Sequence, residues 1–408
     1  MSGKATRPDP GAPGRLSVLV VSISPEVWGA ERSLLGLAPL LEEQGVALTL
    51  ASPPGRLSEA WSSLGLPHVE FSAPDRLGLR ADGGGRPGVR ALSKEIASTA
   101  RSARRLAQLA RGADVVHSNS LWAHLDCAVA GRLARRPVVL ELHDLVRPGL
   151  GRVVLRASVR LASGGIAVSQ AVADTVGTGL RRLRVIPQAV DPERFHPGPP
   201  DASWRARLSS RPDEPIVGVV GRVDPEKGIR TVVQAMSMLD GPARRSHLAV
   251  VGAPGLDDGA YEAQVRAEAS DLLGERARFV GPVDEVPAVL RSLDVLVNAS
   301  TSEPFGLSIL EAQASGVPVI GTDAGGIPEF VTDGRTGLLV APGRPDALAA
   351  GLDRLLGAPA LRHELAAAAR HDVVAHHTLA ARARAVADLY REVARARATE
   401  GAGAGAAR

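Results

Sequence analysis

The sequence predicts an α/β protein made of two doubly wound parallel-sheet (Rossmann-like) domains. Three observations point there. Short apolar runs recur along the 408 residues, separated by segments with helical spacing; strands buried on both faces by crossover helices read this way. The runs form two series, and the length suits two domains. Between the series, prolines cluster at positions 192, 197, 199, 200, 212 and 215, as expected of a connecting segment.

Taken in order, residues 1–14 are rich in Pro and Gly and lack the apolar core of a signal peptide. They are expected to be a disordered lead-in. The first domain, 15–190, has its strands at Leu16–Ser22, Val46–Leu50, Asp114–His117, Pro137–Leu142, Gly165–Ser169 and Arg184–Pro187. Residues 72–90 read as a long mobile loop of Gly, Pro and Arg. Residues 191–214 are expected as the linker. The second domain, 215–378, has strands at Pro215–Gly221, His247–Gly252, Ala277–Gly281, Asp294–Asn298, Val317–Ile320 and Leu338–Val340. An amphipathic helix follows at about 379–398, and 399–408 reads as a disordered tail.

Composition excludes several functions. No run of apolar residues is long enough for a spanning helix. Cys127 is the only cysteine, so neither a disulfide framework nor a cysteine metal cluster is available. A cytoplasmic protein fits. Aromatics are 3% of the chain, and no stacking motif for nucleic acid is present, so no nucleic-acid partner is expected. Residues 1–190 hold 24 Lys+Arg against 15 Asp+Glu; residues 191–408 hold 24 against 29. The basic first half suits an anionic partner. Within it, 91–111 is amphipathic, with Ile96, Ala103, Leu106 and Ala110 set against Arg101, Arg104, Arg105 and Gln108. Arg152, Arg156 and Arg160 form a second basic row. Peripheral contact with the anionic inner face of a membrane is one reading; ordinary solvated helix faces are the other.

The chemistry concentrates after strand ends, where doubly wound sheets bind ligands. Glu303-Pro-Phe-Gly-Leu-Ser-Ile-Leu-Glu311 follows a strand and opens a helix over 306–315. The first amides of that helix, at Phe305, Gly306 and Leu307, make an anion site. A carboxylate stands on either side of it, Glu303 before the helix and Glu311 in its second turn. That pairing suits a ligand with both a phosphate and hydroxyl groups; a solvated acidic face is the alternative. Gly325-Gly-Ile-Pro-Glu329 follows the next strand. Gly221-Arg-Val-Asp-Pro-Glu-Lys-Gly228 lies between a strand and a helix, and both Arg222 and Lys227 could reach a phosphate. Lys4, Lys94 and Lys227 are the only lysines, so Lys227 in a Gly-flanked turn suggests a need for a compact charge. There is no Walker sequence, and no GxGxxG stands directly after a strand. No metal-ligand cluster exists, so no metal and no other cofactor is required. His143 ends the strand before Asp144, and His117 is similarly placed.

Glu303-x7-Glu311 with its Pro-Phe-Gly insertion, together with Gly325-Gly-Ile-Pro-Glu329, resembles the retaining glycosyltransferases of family 4, also called group 1. The resemblance spans about residues 15–395 and implies a GT-B architecture, two Rossmann-like domains facing across a cleft, with the last helix returning to the first domain. It implies a nucleotide-diphospho-sugar donor in the second domain and a hydroxyl acceptor, such as a glycan, glycolipid or small glycoside. Glu311 would take the ribose, Glu303 the hexose, the amides of Phe305 to Leu307 the diphosphate, and Phe279 to Val283 the base. Arg222 and Lys227 would clamp the diphosphate and stabilise the leaving group. His143 would lie near the reacting centre, and Gly29 would contact phosphate or acceptor. The departing phosphate would take the acceptor proton on the same face of the sugar, so no protein nucleophile is assigned. Two positions depart from the family. Trp28-Gly29 replaces paired glycines, and Gln188-Ala189 replaces Asn-Gly before Asp191. These departures leave open a catalytically idle sugar-nucleotide-binding subunit. A sugar-nucleotide epimerase or a phosphorylase on the same fold is the other alternative.

Overall fold

The computed structural model describes residues 15–73, 89–177, 183–255 and 259–406. The lead-in 1–14 and most of the loop 72–90 lie outside the described residues. The chain divides into two compact units, Met1–Gln188 with Leu379–Arg408, and Ala189–Thr378.

The first unit is built on a parallel sheet of β1 (Leu16–Val21), β2 (Val46–Ser52), β3 (His68–Glu70), β4 (Val115–Ser118), β5 (Val138–Leu142), β6 (Gly164–Ala167) and β7 (Leu183–Val185). Their order is β3-β2-β1-β4-β5-β6-β7. The sequence missed only β3, an edge strand of three half-buried or exposed residues, too short for an apolar run to show. Elsewhere the ends move by a residue or two. The chain winds outward in both directions from the β1/β4 pair, which marks the switch point where such sheets bind ligands.

The second unit repeats the plan with β8 (Ile216–Val220), β9 (His247–Val251), β10 (Ala277–Gly281), β11 (Val295–Asn298), β12 (Val319–Thr322) and β13 (Leu338–Val340), in the order β10-β9-β8-β11-β12-β13. All pairs are parallel, and the switch point is β8/β11. β8, β9 and β11 consist almost entirely of Val, Ile, Leu, Ala and Gly, and their residues are almost wholly buried, so each strand fills both helix layers.

Residues 191–214 are not a bare linker. They carry the helix Ala202–Leu208 and belong to the second unit. Asp201 caps this helix, accepting from the amides of Ser203 and Trp204. Trp204 is buried and donates to Glu285 at 3.1 Å, and Arg205 pairs with Asp294 at 3.1 Å. The prolines flank a packed element. The last helix runs Leu379–Ala406, past the expected end at 398.

That helix completes the first unit. Ala383, Val386, Ala387, Leu389, Tyr390 and Val393 join the core formed by β1, β2 and the helix Gly29–Glu43. Polar groups are buried with them. Arg382 donates to Glu141 Oε1 at 2.5 Å and to the carbonyls of Ile186 and Pro187. The Tyr390 hydroxyl meets His117 Nδ1 at 3.0 Å, and His117 Nε2 lies 3.2 Å from Glu141 Oε2. Arg382→Met is therefore expected to strand the Glu141 carboxylate in the core. Breaking one side of such a pair costs about 3–5 kcal/mol. Denaturant unfolding followed by circular dichroism measures it; a loss below about 1 kcal/mol, the range of an exposed pair, would show that the pair contributes little.

Candidate active site

In the second unit, the loops after β8 and β11 meet at the switch point. The β11 strand ends at Asn298, and the chain turns at once. Asn298 Oδ1 accepts from the Ser300 amide at 3.1 Å and from its hydroxyl at 2.6 Å. This turn directs Glu303 inward. Its Oε2 accepts from Asn298 Nδ2 at 3.1 Å, from the Ser300 hydroxyl at 3.0 Å, and from Lys227 Nζ at 2.8 Å. Burial pushes the Glu303 carboxyl up. The Lys227 charge and the hydrogen bonds from Lys227, Asn298 and Ser300 outweigh burial, and the net shift is downward. Glu303 is therefore an ionised, buried carboxylate. All of these donors converge on one oxygen.

Two glycines make the convergence possible. Gly228 has φ +64°, and a Cβ there would stand 2.0 Å from the Ala299 carbonyl oxygen. Only glycine lets the Lys227 turn lie against the β11 loop. The Thr301 amide also donates to the Glu226 carbonyl at 2.9 Å. On the other side, Gly325 has φ +60°, and a Cβ would stand 2.0 Å from the Glu303 carbonyl oxygen. The Gly326 amide donates to that same oxygen at 2.9 Å. The Gly325-Gly326 pair thus fixes the backbone that carries Glu303.

The helix Leu307–Ala314 begins after Gly306, whose carbonyl accepts from Ile309 and Leu310. Residues Ile309 to Ala314 are all buried, so this is a core helix and not an amphipathic one. Glu303 and Glu311 are each only 6% exposed. That removes the solvated-face reading of the pair. The Phe305 ring is buried and stacked on that of Phe330 at 4.7 Å between centroids. Leu307 is half-buried, as is Val283 in the loop after β10. Arg222 sits on the Lys227 loop, with its guanidinium 3.2 Å from Asp224.

In the first unit, His143 follows β5, and Gly29 is the exposed first residue of the helix Gly29–Glu43. The His143 ring is held on both nitrogens. Nε2 lies 3.2 Å from Asn119 Oδ1 and 3.5 Å from Glu141 Oε1; Nδ1 lies 3.3 Å from Gln188 Nε2. The Ser33 hydroxyl donates to Gln188 Oε1 at 2.6 Å. A neutral ring with its proton on Nε2 satisfies this chain throughout. His117 is placed differently, buried between Glu141 and Tyr390.

Sequence reasoning missed Asn298, Ser300, Asn119, Ser33 and the role of Gln188. For Gln188 there was a signal, its departure from Asn-Gly. It also missed Glu31, which is buried, accepts from the Ser22 hydroxyl at 3.2 Å, and is raised in pKa chiefly by burial. Among the described residues, no group of three or more His, Cys, Asp or Glu is placed to hold a metal ion.

Burial lowers the His143 pKa; Glu141 opposes this, while Arg382 and His117 add to it, and the result is about 4 against an ordinary 6.5. The unfolded chain takes up this proton near 6.5 and the folded chain only near 4. His143 therefore withdraws stability as pH falls through that window. An NMR titration of the His143 ring is expected to show no protonation above about pH 5. A midpoint at the ordinary value would show that the ring is solvated.

Comparison with known proteins fits this geometry. Residues 201–372 match the family model of glycosyl transferases group 1, and residues 27–194 match that of Glycosyltransferase Family 4. The chain is 34% identical over 262 residues to the 2-deoxystreptamine glucosyltransferase of Streptomyces kanamyceticus, covering 59% of this chain and just under two thirds, 66%, of that one. It is 31% identical over 322 residues to the alpha-maltose-1-phosphate synthase of Mycolicibacterium smegmatis, covering 70% and 80%. The structure of Anabaena HepE in complex with UDP-glucose superposes with a TM-score of 0.77 at 23% identity, over 93% of this chain and 100% of that one; this likeness shows the GT-B fold. With both halves matched, and four fifths of a relative's length aligned at this identity, the chain belongs to the group 1 glycosyltransferases.

Proposed function

We propose that this protein is a retaining, family 4 glycosyltransferase that moves a hexose from a nucleotide-diphospho-sugar to a hydroxyl acceptor, without a metal ion. The observation that carries the reading is the pairing of the half-buried Lys227 with the buried Glu303 at the β8/β11 switch point. The three donors that fix Glu303 all use Oε2, which leaves Oε1 for sugar hydroxyls. Lys227 then has two tasks. It offsets the buried carboxylate, and it offers remaining N–H donors to the donor diphosphate. Arg222 and the amides opening the Leu307–Ala314 helix complete the anion site. Glu311, buried in the second turn, is assigned to the ribose. Gly29 and His143 are assigned to the acceptor side, with the neutral His143 acting as a hydrogen-bonding group near the reacting carbon. In the reaction the bond from the anomeric carbon to the diphosphate breaks, and the acceptor oxygen bonds to that carbon on the same face. The acceptor proton passes to the departing phosphate. HepE, whose structure holds UDP-glucose, supports a uridine donor.

Charge grows on the diphosphate as its bond breaks, so Lys227 acts mainly in the transition state. Lys227→Ala is expected to lower turnover at saturating donor by about 10²–10³. Lys227→Arg is expected to be impaired as well, since the planar fork does not fit between Glu303 and a phosphate as a point charge does. Turnover within a factor of about 3 of the parent, well under 1 kcal/mol of barrier, would exclude the role. Glu311→Gln is expected to act on affinity instead. A carboxylate bond to a hydroxyl is worth about 1.5–3 kcal/mol, so calorimetry should show donor binding weakened at least several-fold. Unchanged affinity would remove Glu311 from the ribose.

A further inference from the structure

Three helices of the first unit pack side by side on one face of its sheet: Val89–Ala110, His124–Ala134 and Leu150–Leu161. Their inner sides are ordinary core. Ala103, Leu106 and Ala110 of the first, Cys127, Ala128 and Ala130 of the second, and Leu155 and Val159 of the third are buried. Their outer sides are unusual in two respects.

The first is apolar exposure. Ile96 is 61% exposed, Leu133 57%, Leu150 48%, Val153 62% and Leu161 38%. These are five of the ten large hydrophobic residues exposed among the described residues. Ile96 is the telling case. The spacing of 91–111 sets it seven residues before the buried Ala103, on the same side of the helix, yet it lies exposed toward the start of the helix. The second is charge. Lys94, Arg101, Arg104, Arg105, Arg132 and Arg160 are exposed. The three helices contain just two acidic residues, Glu95 and Asp126, and both are buried. The outer face therefore shows cations and aliphatic side chains with no carboxylate among them.

We propose that this face docks on an anionic lipid bilayer. Scattered aliphatic residues among arginines suit the boundary between headgroups and acyl chains, where the apolar groups enter and the cations meet lipid phosphates. A protein partner of comparable area would be expected to meet paired polar groups as well as charge; a nucleic acid would leave the aliphatic groups unused. The placement has a functional sense. Helices of a doubly wound sheet start at the carboxyl edge of the strands, so Leu150 and Val153, in the first turns after β5, and Ile96, early in its helix, lie toward the edge that carries His143 and Asn119. That end of the face borders the acceptor side, and a lipid-linked hydroxyl would reach it without leaving the bilayer. The docking itself rests on the surface alone and stands or falls apart from the glycosyl-transfer reading.

The test is vesicle flotation of the full chain at low salt, with phosphatidylcholine alone and with a phosphatidylcholine–phosphatidylglycerol mixture. The expected result is flotation with the anionic mixture, loss of it at high salt, and none with phosphatidylcholine alone. Leu150→Asp/Val153→Asp and, separately, Arg101→Glu/Arg104→Glu/Arg105→Glu are expected to reduce the bound fraction about ten-fold or more. Met238→Asp/Leu272→Asp, exposed apolar positions of the second unit, should leave it unchanged. A Val153→Cys variant labelled with an environment-sensitive dye should shift to the blue on anionic vesicles; the native Cys127 is buried, and the readout needs no charge-bearing variant to fold. Absence of flotation on anionic vesicles, equal flotation of all variants, or an unshifted dye on bound protein would each overturn the proposal. So would self-association that the Leu150 and Val153 changes abolish while vesicles remain unbound.

Discussion

Putting the Glu303 carboxylate in the interior costs several kcal/mol unless a cation and hydrogen-bond donors go with it. The organisation of the second unit around its switch point follows from that requirement. Lys227 must come from the loop after β8, Asn298 and Ser300 from the end of β11, and the supporting turn at Gly325-Gly326 from the end of β12. Three strand ends are thereby tied to a single oxygen-bearing group. A carboxylate held this way has one oxygen committed and a fixed direction for the other. Such preorganisation lets a site stabilise charge without rearranging when the charge forms.

The first unit solves the same problem with different parts. Glu141, at the end of β5, is buried against Arg382 and His117. Burial raises its pKa; Arg382 and the two histidines overcome this and hold it well below the usual carboxylate range. The cost of this arrangement falls on His143, which sits next to Glu141 yet stays neutral, chiefly because burial disfavours its charged form and further because Arg382 and His117 oppose it. Gln188 then supplies the donor that an imidazole nitrogen needs. The residue that departs from the family's Asn-Gly is used to hold the ring, so the departure at 188 is compatible with a working site.

Much of this was legible in the sequence. Buried parallel strands leave near-continuous runs of Val, Ile and Leu, and those runs located both sheets. Glu303 and Lys227, which the structure pairs, were visible because each stands in a short motif. What could not be read was which groups meet. Lys227 and Glu303 lie 76 positions apart, and Ser33 lies 155 from Gln188; only the fold brings them together. The proline cluster was misleading at 191–214, because prolines bracket a helix as readily as they fill a linker, and the Asp201 cap is a weaker signal than they are. Ile96 shares the helix side of the buried Ala103, as its spacing predicts, but is exposed near the start of the helix; spacing gives the side of a helix and not where its cover ends.

The return of the helix Leu379–Ala406 to the first unit has a consequence for how the chain is made. The first unit is discontinuous: part of its core and a cationic partner of Glu141 are supplied by the helix Leu379–Ala406. A ribosome finishes β1 to β7 long before Arg382 and Tyr390 exist. During synthesis the second unit has every segment it needs by Thr378, whereas the first must wait with an exposed apolar face and an unneutralised Glu141. Domains usually fold from the N-terminus onward during synthesis. Here the earlier-made unit can close its core only after the later-made unit has all of its segments.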